Sequence, residues 1–273
     1  MSYYIPNSKN KDEVLAKIEF FKKTDLSSLF IITDFNKTLT KDQGNTSWSI
    51  FPKSGILGED YVKDRNALFA QYNPLEIDET TTREQKAQIM NEWYIKHFEL
   101  FLKYKLTKSQ FNDIVGNREL IKFRDGVAKF IGLTIIDDIP LVIVSGGIGN
   151  VIESMIKQCE LLAENVFIEG NFFGFDANGL ASSISTEKII NAFNKDNFKP
   201  DELTLDAING KENCILIGDS IDDCDVAKVF PAKNILKIAY TTKDRQKEYF
   251  DDKDFDIVVL DEDFGFVNEI LER

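Results

Sequence analysis

Three short apolar runs, each followed by a polar or glycine residue, constrain the fold more than any other feature. They occupy residues 29–33, 141–144 and 214–217 and consist mainly of Ile, Leu and Val. Runs of this length and composition are typical of strands buried on both faces of a parallel sheet. Because stretches with helical spacing separate them, the chain is predicted to form an α/β fold with helices on both faces of the sheet.

Other segments continue this alternation of strands and helices. Residues 12–23 place apolar side chains at helical spacing, whereas residues 235–239 and 257–260 are typical of further buried strands. The pair Asn178-Gly179 lies between two apolar stretches, which is a strong signal for the turn of a β-hairpin. These segments extend the predicted core towards the end of the sequence.

Residues 44–117, between the first and second strands, have a different pattern. Long stretches such as residues 84–105 are amphipathic at helical spacing, and Thr81 followed by Glu84 predicts a helix N-terminus. A helical insertion at this place is expected to lie above the strand ends as a cap. The predicted domains are a core at residues 1–44 and 118–273 and a helical cap at residues 45–117.

The residues that follow the three strands are candidates for a functional site. The runs lead, in chain order, to Asp34, to Ser145 and to Gly218-Asp219. In parallel α/β sheets the ligand site lies at the carboxyl ends of the strands. Asp34 is therefore a candidate nucleophile, although an aspartate after a strand also caps helices and forms turns.

Ser145 precedes a glycine-rich segment and a predicted helix. A hydroxyl together with the exposed amides around Gly146 suits phosphate oxygens, and a helix N-terminus favours an anion. The same glycines are also compatible with a tight turn formed for packing. Their spacing matches neither the dinucleotide fingerprint nor the Walker loop.

Acidic residues follow the third strand. Asp219 and Asp223 lie four positions apart, which suits a hard cation such as Mg²⁺, whereas Asp222 and Asp225 are equally typical of acids at a helix start. Lys195 by itself is typical of a solvated surface charge. Taken together, an aspartate, a serine, a lysine and an acidic pair are the groups needed for phosphoryl transfer through an aspartyl-phosphate.

In this combination the chain resembles the haloacid dehalogenase-like (HAD) phosphohydrolases, and within them the pyrimidine 5′-nucleotidase family, or cytosolic 5′-nucleotidase III. The segments that carry the resemblance are Asp34-Phe35-Asn36-Lys37-Thr38-Leu39-Thr40, Glu92-Trp93-Tyr94, Ser145-Gly146-Gly147-Ile148-Gly149, Asn171-Phe172-Phe173-Gly174-Phe175-Asp176, Phe193-Asn194-Lys195 and Gly218-Asp219-Ser220. The similarity extends over most of the chain, cap included. It implies a Rossmann-like three-layer core with an inserted helical cap, and a Mg²⁺-dependent hydrolase of nucleoside monophosphates, with pyrimidine nucleotides as the expected substrates.

The resemblance also implies a role for each strand-end residue. Asp34 is expected to be the nucleophile and a Mg²⁺ ligand, with Lys195 paired to it and to the phosphate. Ser145 and the backbone amides near Gly146 are expected to hold the phosphoryl group.

The remaining implied ligands come from the acidic pair and from the cap. Asp219, supported by Asp223, and the backbone carbonyl of Asn36 are expected at the metal. Glu76 and Trp48 are expected to contact the base, with the Trp48 ring stacked on it. Ordinary cap packing for the indole and a solvated charge for the carboxylate remain open alternatives.

One residue departs from the family pattern. Position 36 holds Asn where the family has the aspartate that acts as general acid and base. An amide neither gives nor takes a proton at useful pH, and loss of such a group typically lowers the rate by about 10²–10⁴-fold. Three explanations stay open: another proton donor or a slow water route, a nucleotide-binding relative with little catalysis, or an engineered substitution that traps a complex.

Composition argues against several other classes of protein. The chain has 33 Lys and Arg against 46 Asp and Glu, a net charge of −13, which disfavours nucleic-acid polymers and anionic membranes as partners. No apolar stretch is long enough to span a bilayer, no signal peptide is recognisable, and the three cysteines form no CxxC pair. The single histidine, His97, argues against a Ser-His-Asp triad. We expect a cytoplasmic monomer that acts on a small phosphomonoester.

Two alternative functions are also compatible with the sequence. One is another capped phosphatase of the same fold, such as a phosphoserine phosphatase, which needs charged groups for an ammonium and a carboxylate. The other is a weakly catalytic or non-catalytic nucleotide-binding protein. An aromatic platform in the cap favours a nucleotide over an amino acid.

Overall fold

The computed structural model describes residues 3–230, 232–245, 249, 253–260 and 262–272. The strands are β1 (Tyr3–Tyr4), β2 (Leu29–Thr33), β3 (Leu141–Ile148), β4 (Val166–Asn171), β5 (Phe173–Phe175), β6 (Ala181–Ile184), β7 (Asn213–Gly218), β8 (Asn234–Tyr240) and β9 (Ile257–Val259). Within the described residues, seven strands form one sheet in the order β1-β9-β8-β7-β2-β3-β4. All neighbouring pairs in it are parallel except β1 with β9. The predicted parallel sheet is confirmed.

Helices lie between most of these strands. They are α1 (Lys11–Lys23), α2 (Ile50–Ser54), α3 (Gly58–Ile77), α4 (Arg83–Lys103), α5 (Lys108–Gly116), α6 (Val127–Ile136), α7 (Gly149–Gln158), α8 (Glu202–Ile208) and α9 (Gly265–Leu271), with 3-10 helices at Leu26–Ser28 and Ile221–Lys228. Helices α2 to α5 fall between β2 and β3, as the insertion predicts. The exact domain boundaries stay a prediction. Among the described residues, no helix combines the length and apolar character needed to cross a membrane.

Helix α4 begins one residue later than the Thr81 cap predicts. Its N-cap is Thr82, whose hydroxyl accepts from the Gln85 amide, while the Gln85 side chain accepts from the Thr82 amide. The Thr81 hydroxyl is instead donated to Asp78, 2.8 Å away. Because Asp78 already holds Thr81 in the preceding turn, the next threonine caps the helix.

Both faces of the sheet are covered by apolar side chains. In β2, Leu29 and Ile31 belong to one buried cluster, whereas Phe30 and Ile32 belong to a second. This alternation follows from the two-residue period of a strand. A strand that is apolar at every position is therefore buried on both sides, as the sequence pattern indicates.

The order of the central strands positions the candidate site. Strand β2 pairs with β7 on one side and with β3 on the other, so the carboxyl ends of all three strands are neighbours. Strand β3 continues to Ile148, past its expected end at residue 144, with a register shift before Ile148 pairs with Asn171. Asp34, Ser145 and Asp219 are thereby brought to one edge of the sheet.

Candidate active site

A buried lysine joins two of the predicted site carboxylates. The Lys195 Nζ lies 2.8 Å from the Oδ1 of Asp34 and 2.6 Å from the Oδ1 of Asp223. Only 5% of Lys195, 8% of Asp34 and 4% of Asp223 is exposed. A buried charge is tolerated when it is paired and hydrogen-bonded, so this triad is a structured ionic centre at the end of β2.

Burial and charge shape the proton affinities of this centre. Burial raises the pKa of Asp34 above the ordinary aspartate value, Lys195 opposes that shift, and Asp223 and Asp219 add to it. Burial alone lowers the pKa of Lys195, but its two carboxylate partners outweigh it and raise the pKa well above the ordinary lysine value. The ammonium therefore stays charged beside Asp34.

The second acidic group follows β7. The Asp219 side chain accepts from Arg245 at 3.0 Å, and Arg245 also contacts Asp42 at 3.1 Å. Asp223 uses its second oxygen to accept from the backbone amides of Asp219 and Ser220, each at 2.9 Å. Asp223 thus links Lys195 to the backbone that carries Asp219.

The glycine-rich segment after β3 is held by contacts from distant parts of the chain. The Gly146 carbonyl accepts from the Trp48 indole N–H at 2.9 Å and from Asn171 at 3.1 Å. The Gly147 amide donates to the buried Ser145 hydroxyl at 3.1 Å. A Cβ at Gly147 would lie 2.4 Å from the Ser47 hydroxyl, so only glycine fits this close approach.

Asn36 is held by Ser47. Its side-chain oxygen accepts from the Ser47 amide at 2.8 Å, and its side-chain nitrogen lies 3.3 Å from the Ser47 hydroxyl. That hydroxyl also accepts from the Ile148 amide at 3.1 Å. The amide of Asn36 therefore lies at the edge of the glycine segment, with both its oxygen and its nitrogen bonded to Ser47.

The two cap residues predicted to meet a base occupy different surroundings. The Trp48 ring lies 4.9 Å from the Tyr94 ring and 5.1 Å from Phe98, between centroids. Glu76 is half-buried in the last turn of α3, and burial raises the pKa of its carboxyl. Burial raises the pKa of the Tyr94 phenol, and the charge of Glu76 adds to that shift.

Sequence reasoning missed three contributors to this arrangement. Ser47 lies in a polar loop, Arg245 is an ordinary arginine in sequence, and Tyr94 follows an apolar tryptophan in a long helix. The one sequence signal for Tyr94 is its place among the apolar positions of the amphipathic stretch at residues 84–105. The contacts of the other two depend on segments far apart in the chain.

The donor set fits a hard cation. Asp34 and Asp219 offer carboxylate oxygens, and no hydrogen bond to the Asn36 carbonyl is found among the described residues. Burial and then the Asp223 charge raise the pKa of Asp219, so negative charge is crowded here and a cation relieves it. In the described part of the chain no three acidic, His or Cys side chains form a ready-made metal cluster. Mg²⁺ needs only one or two carboxylates, with water and substrate phosphate as further ligands.

The single histidine gives a pH-dependent stability that can be measured. His97 is buried against the Trp48 and Trp93 rings, and burial, with Arg65 nearby, lowers its pKa to about 3. The unfolded chain binds a proton below about pH 6.5 while the folded chain does not, so His97 costs stability as the pH falls. We expect the unaltered chain to lose stability relative to His97→Phe as the pH falls. The loss should be about 1.4 kcal/mol of unfolding free energy per pH unit between pH 6 and 4.

Urea unfolding at pH 7, 6, 5 and 4 measures this difference, and other titrating groups cancel between the two proteins. An imidazole NMR resonance that titrates near pH 6.5 in the folded protein would contradict the expectation.

Comparisons with known proteins agree with this geometry. The profile of the pyrimidine 5′-nucleotidase (UMPH-1) family matches residues 31–273. The chain is 31% identical over 255 residues to the 7-methylguanosine phosphate-specific 5′-nucleotidase of Homo sapiens, covering 90% of this chain and 84% of that protein. It is similar to a crystal structure of cytosolic 5′-nucleotidase IIIB bound to cytidine, with a TM-score of 0.84 and 27% identity, over 98% of this chain and 92% of the other. A substrate-bound phosphoserine phosphatase shares the fold alone, at a TM-score of 0.55 and 17% identity over 89% of this chain and 98% of that one.

Proposed function

Because the chain belongs to the pyrimidine 5′-nucleotidase family, with its HAD-like fold and phosphomonoester hydrolase activity, we propose that it removes the 5′-phosphate from pyrimidine nucleoside monophosphates. The predicted fold and family are confirmed. The observation that supports the proposed route is the Lys195 ammonium 2.8 Å from the buried Asp34 carboxylate. Such a pair presents a nucleophile beside the positive charge that draws a phosphate onto it.

In the proposed reaction the Asp34 carboxylate attacks the phosphorus atom. The bond from phosphorus to the nucleoside 5′-oxygen breaks, and that oxygen takes a proton from the solvent, since Asn36 has none to give. Water then attacks the phosphoryl group on Asp34 and gives up a proton to the solvent, which releases inorganic phosphate and restores the carboxylate. Ser145, the amides around Gly146 and Lys195 hold the phosphoryl oxygens through both steps.

Mg²⁺ is the proposed cofactor. Asp34, Asp219 and the Asn36 carbonyl would hold it, with Asp223 in support through its bonds to the Asp219 and Ser220 amides. When bound, it supplies positive charge to the phosphoryl oxygens. The chain itself contributes these ligand oxygens and the Lys195 ammonium, which it presents at the same edge of the sheet.

The proposed nucleoside pocket lies between the glycine segment and the cap. The Trp48 indole donates to the Gly146 carbonyl, and Tyr94 stands over the same segment with its hydroxyl 3.5 Å from the place of a Gly146 Cβ. Burial and then the charge of Glu76 raise the pKa of that phenol. An indole and a phenol beside a carboxylate suit a flat, hydrogen-bonding base. A human relative is named for 7-methylguanosine phosphate and a solved relative binds cytidine, so both bases belong in a substrate test.

Asn36 supports a second candidate function, a nucleotide-binding protein with little turnover. Its side chain is bonded to Ser47 and carries no acid or base. Binding of phosphate and cation needs only the groups that remain. The cytoplasm stays the proposed compartment, and the monomer stays a prediction.

One panel of substrates tests both candidates. Phosphate release is measured from cytidine, uridine, 7-methylguanosine and adenosine monophosphates and from phosphoserine, with Mg²⁺ and with EDTA. We expect Mg²⁺-dependent release from the pyrimidine nucleotides above all others. Nucleotide binding by calorimetry without release supports the binding protein, and preferential release from phosphoserine contradicts a nucleotidase.

A further inference from the structure

An arginine at the start of α4 faces three carboxylates of the core. The Arg83 guanidinium lies 2.8 Å from Asp222 and 2.8 Å from Asp225, and its Nε lies 3.9 Å from Asp196. We refer to these four residues as the arginine clamp. Its side chains are between 24% and 35% exposed, so the charges are partly shielded from water.

The clamp touches two of the three segments that carry the buried ion triad, those of Lys195 and Asp223. Asp196 directly follows Lys195, and Asp222 directly precedes Asp223. Lys195 and Asp223 meet at 2.6 Å inside the site, while Arg83 joins the same two segments from outside. The two short contacts of the guanidinium both go to the 3-10 helix, and it reaches the Lys195 segment through the Asp196 carboxylate and through the Ala192 carbonyl, which accepts at 3.5 Å.

Further contacts attach α4 to the Lys195 segment. The buried side chain of Asn191 donates to Asn91 at 2.8 Å and to the Ala87 carbonyl at 3.1 Å. The same helix carries Tyr94 over the glycine segment. Helix α4 therefore spans the distance between the proposed nucleoside pocket and the segment that presents the lysine.

We propose that Arg83 is a positioning residue, which holds the Lys195 segment against the 3-10 helix Ile221–Lys228 so that Lys195 stays aligned with Asp34. The inference rests on the proposed role of Lys195 in the reaction. Without Arg83, the carboxylates of Asp196, Asp222 and Asp225 face one another, and the buried Lys195–Asp223 pair is left to hold the two segments together. Lys228 remains on Asp225, but it lies three residues away on the same 3-10 helix, so that pair does not join the two segments.

Kinetics of Arg83→Gln, in an Asn36→Asp background that provides measurable turnover, test this role. We expect kcat to fall about tenfold with KM changed less than about threefold, since small misplacements of reacting groups cost up to about a hundredfold. Combining Arg83→Gln with Asp222→Asn is expected to restore part of kcat, because it relieves the repulsion among the carboxylates. Arg83→Lys is expected to be intermediate, because an ammonium cannot fork.

Lys228→Gln is the matched control. It removes one positive charge from the same Asp225, at 2.5 Å, without touching α4. We expect its kcat to stay within about twofold of the parent, as for other exposed ion pairs. An equal loss in both variants would mean a general effect of charge and would overturn the inference.

Hydrogen exchange provides a readout that does not need activity. In Arg83→Gln the amides of residues 191–197 are expected to exchange faster by about tenfold, with those of residues 141–148 unchanged. If exchange becomes faster but the Asn36→Asp parent releases no phosphate, the proposed function is contradicted and the role of Arg83 in positioning the segment is not. Unchanged exchange, or unchanged kcat in a folded variant, would overturn the role of Arg83.

Discussion

Replacing Asn36 by Asp is expected to raise kcat for a nucleoside monophosphate by about 10²–10⁴-fold, because it supplies a proton donor and acceptor beside the phosphoryl group. The site accommodates the change. One carboxylate oxygen keeps the bond from the Ser47 amide, and the other accepts from the Ser47 hydroxyl, which now lies 3.3 Å from the Asn36 nitrogen. Phosphate release under saturating substrate and Mg²⁺ measures the gain.

A second readout follows the covalent intermediate. In the unaltered chain, incubated with a nucleoside monophosphate and Mg²⁺, we expect mass spectrometry to detect a phosphoryl adduct on Asp34. In Asn36→Asp the adduct is expected to disappear, because it is hydrolysed faster. Asn178→Asp is the control, since it adds the same charge in an exposed Asx-Gly turn far along the chain. Equal turnover of the unaltered chain and Asn36→Asp would show that position 36 does not limit the reaction.

Replacing Lys195 by Met is expected to affect both the reaction and the stability. It leaves Asp34 and Asp223, each less than a tenth exposed, without their shared cation. Breaking a buried pair in this way typically costs about 3–5 kcal/mol, and loss of a donor to the reacting phosphoryl group costs about 10²–10³-fold in kcat. Urea unfolding and phosphate release by Asn36→Asp with and without the lysine measure the two effects.

Lys233→Met is the control for Lys195→Met, because it removes the same charge from an exposed ion pair. Lys233 pairs with Glu212 on the surface, where the two side chains are 72% and 53% exposed. Such a pair contributes about 0–1 kcal/mol, so little change is expected. A stability loss of the same size in both variants would contradict the assignment of Lys195 as the centre of a buried triad.

Much of the site was readable along the chain because its residues follow strands. Apolar runs of four or five residues mark strands buried on both faces, and parallel strands end at one edge. This pattern predicts Asp34, Ser145 and Asp219 at one edge of the sheet, which is where the strands place them, and their roles stay predictions. The capping threonine of α4 was misplaced by one residue, because Asp78 engages Thr81 in a turn that spacing alone does not reveal.

The roles of other residues depend on packing between distant segments. Arg83 and Asp222 lie 139 positions apart, and nothing in the sequence around either residue indicates the other. The same holds for Ser47 and Ile148, whose contact fixes the surroundings of Asn36.

Local sequence therefore specified which chemical groups this protein carries, the strands that present them and the amide, rather than a carboxyl group, at position 36. Periodicity and strand ends are local properties, set by side chains a few residues apart. Folding in three dimensions selected which charges meet: Lys195 lies between two buried aspartates, and Arg83 lies across the segments that carry Lys195 and Asp223. A buried charge needs a partner wherever the fold supplies one, and that partner is chosen by how whole segments pack.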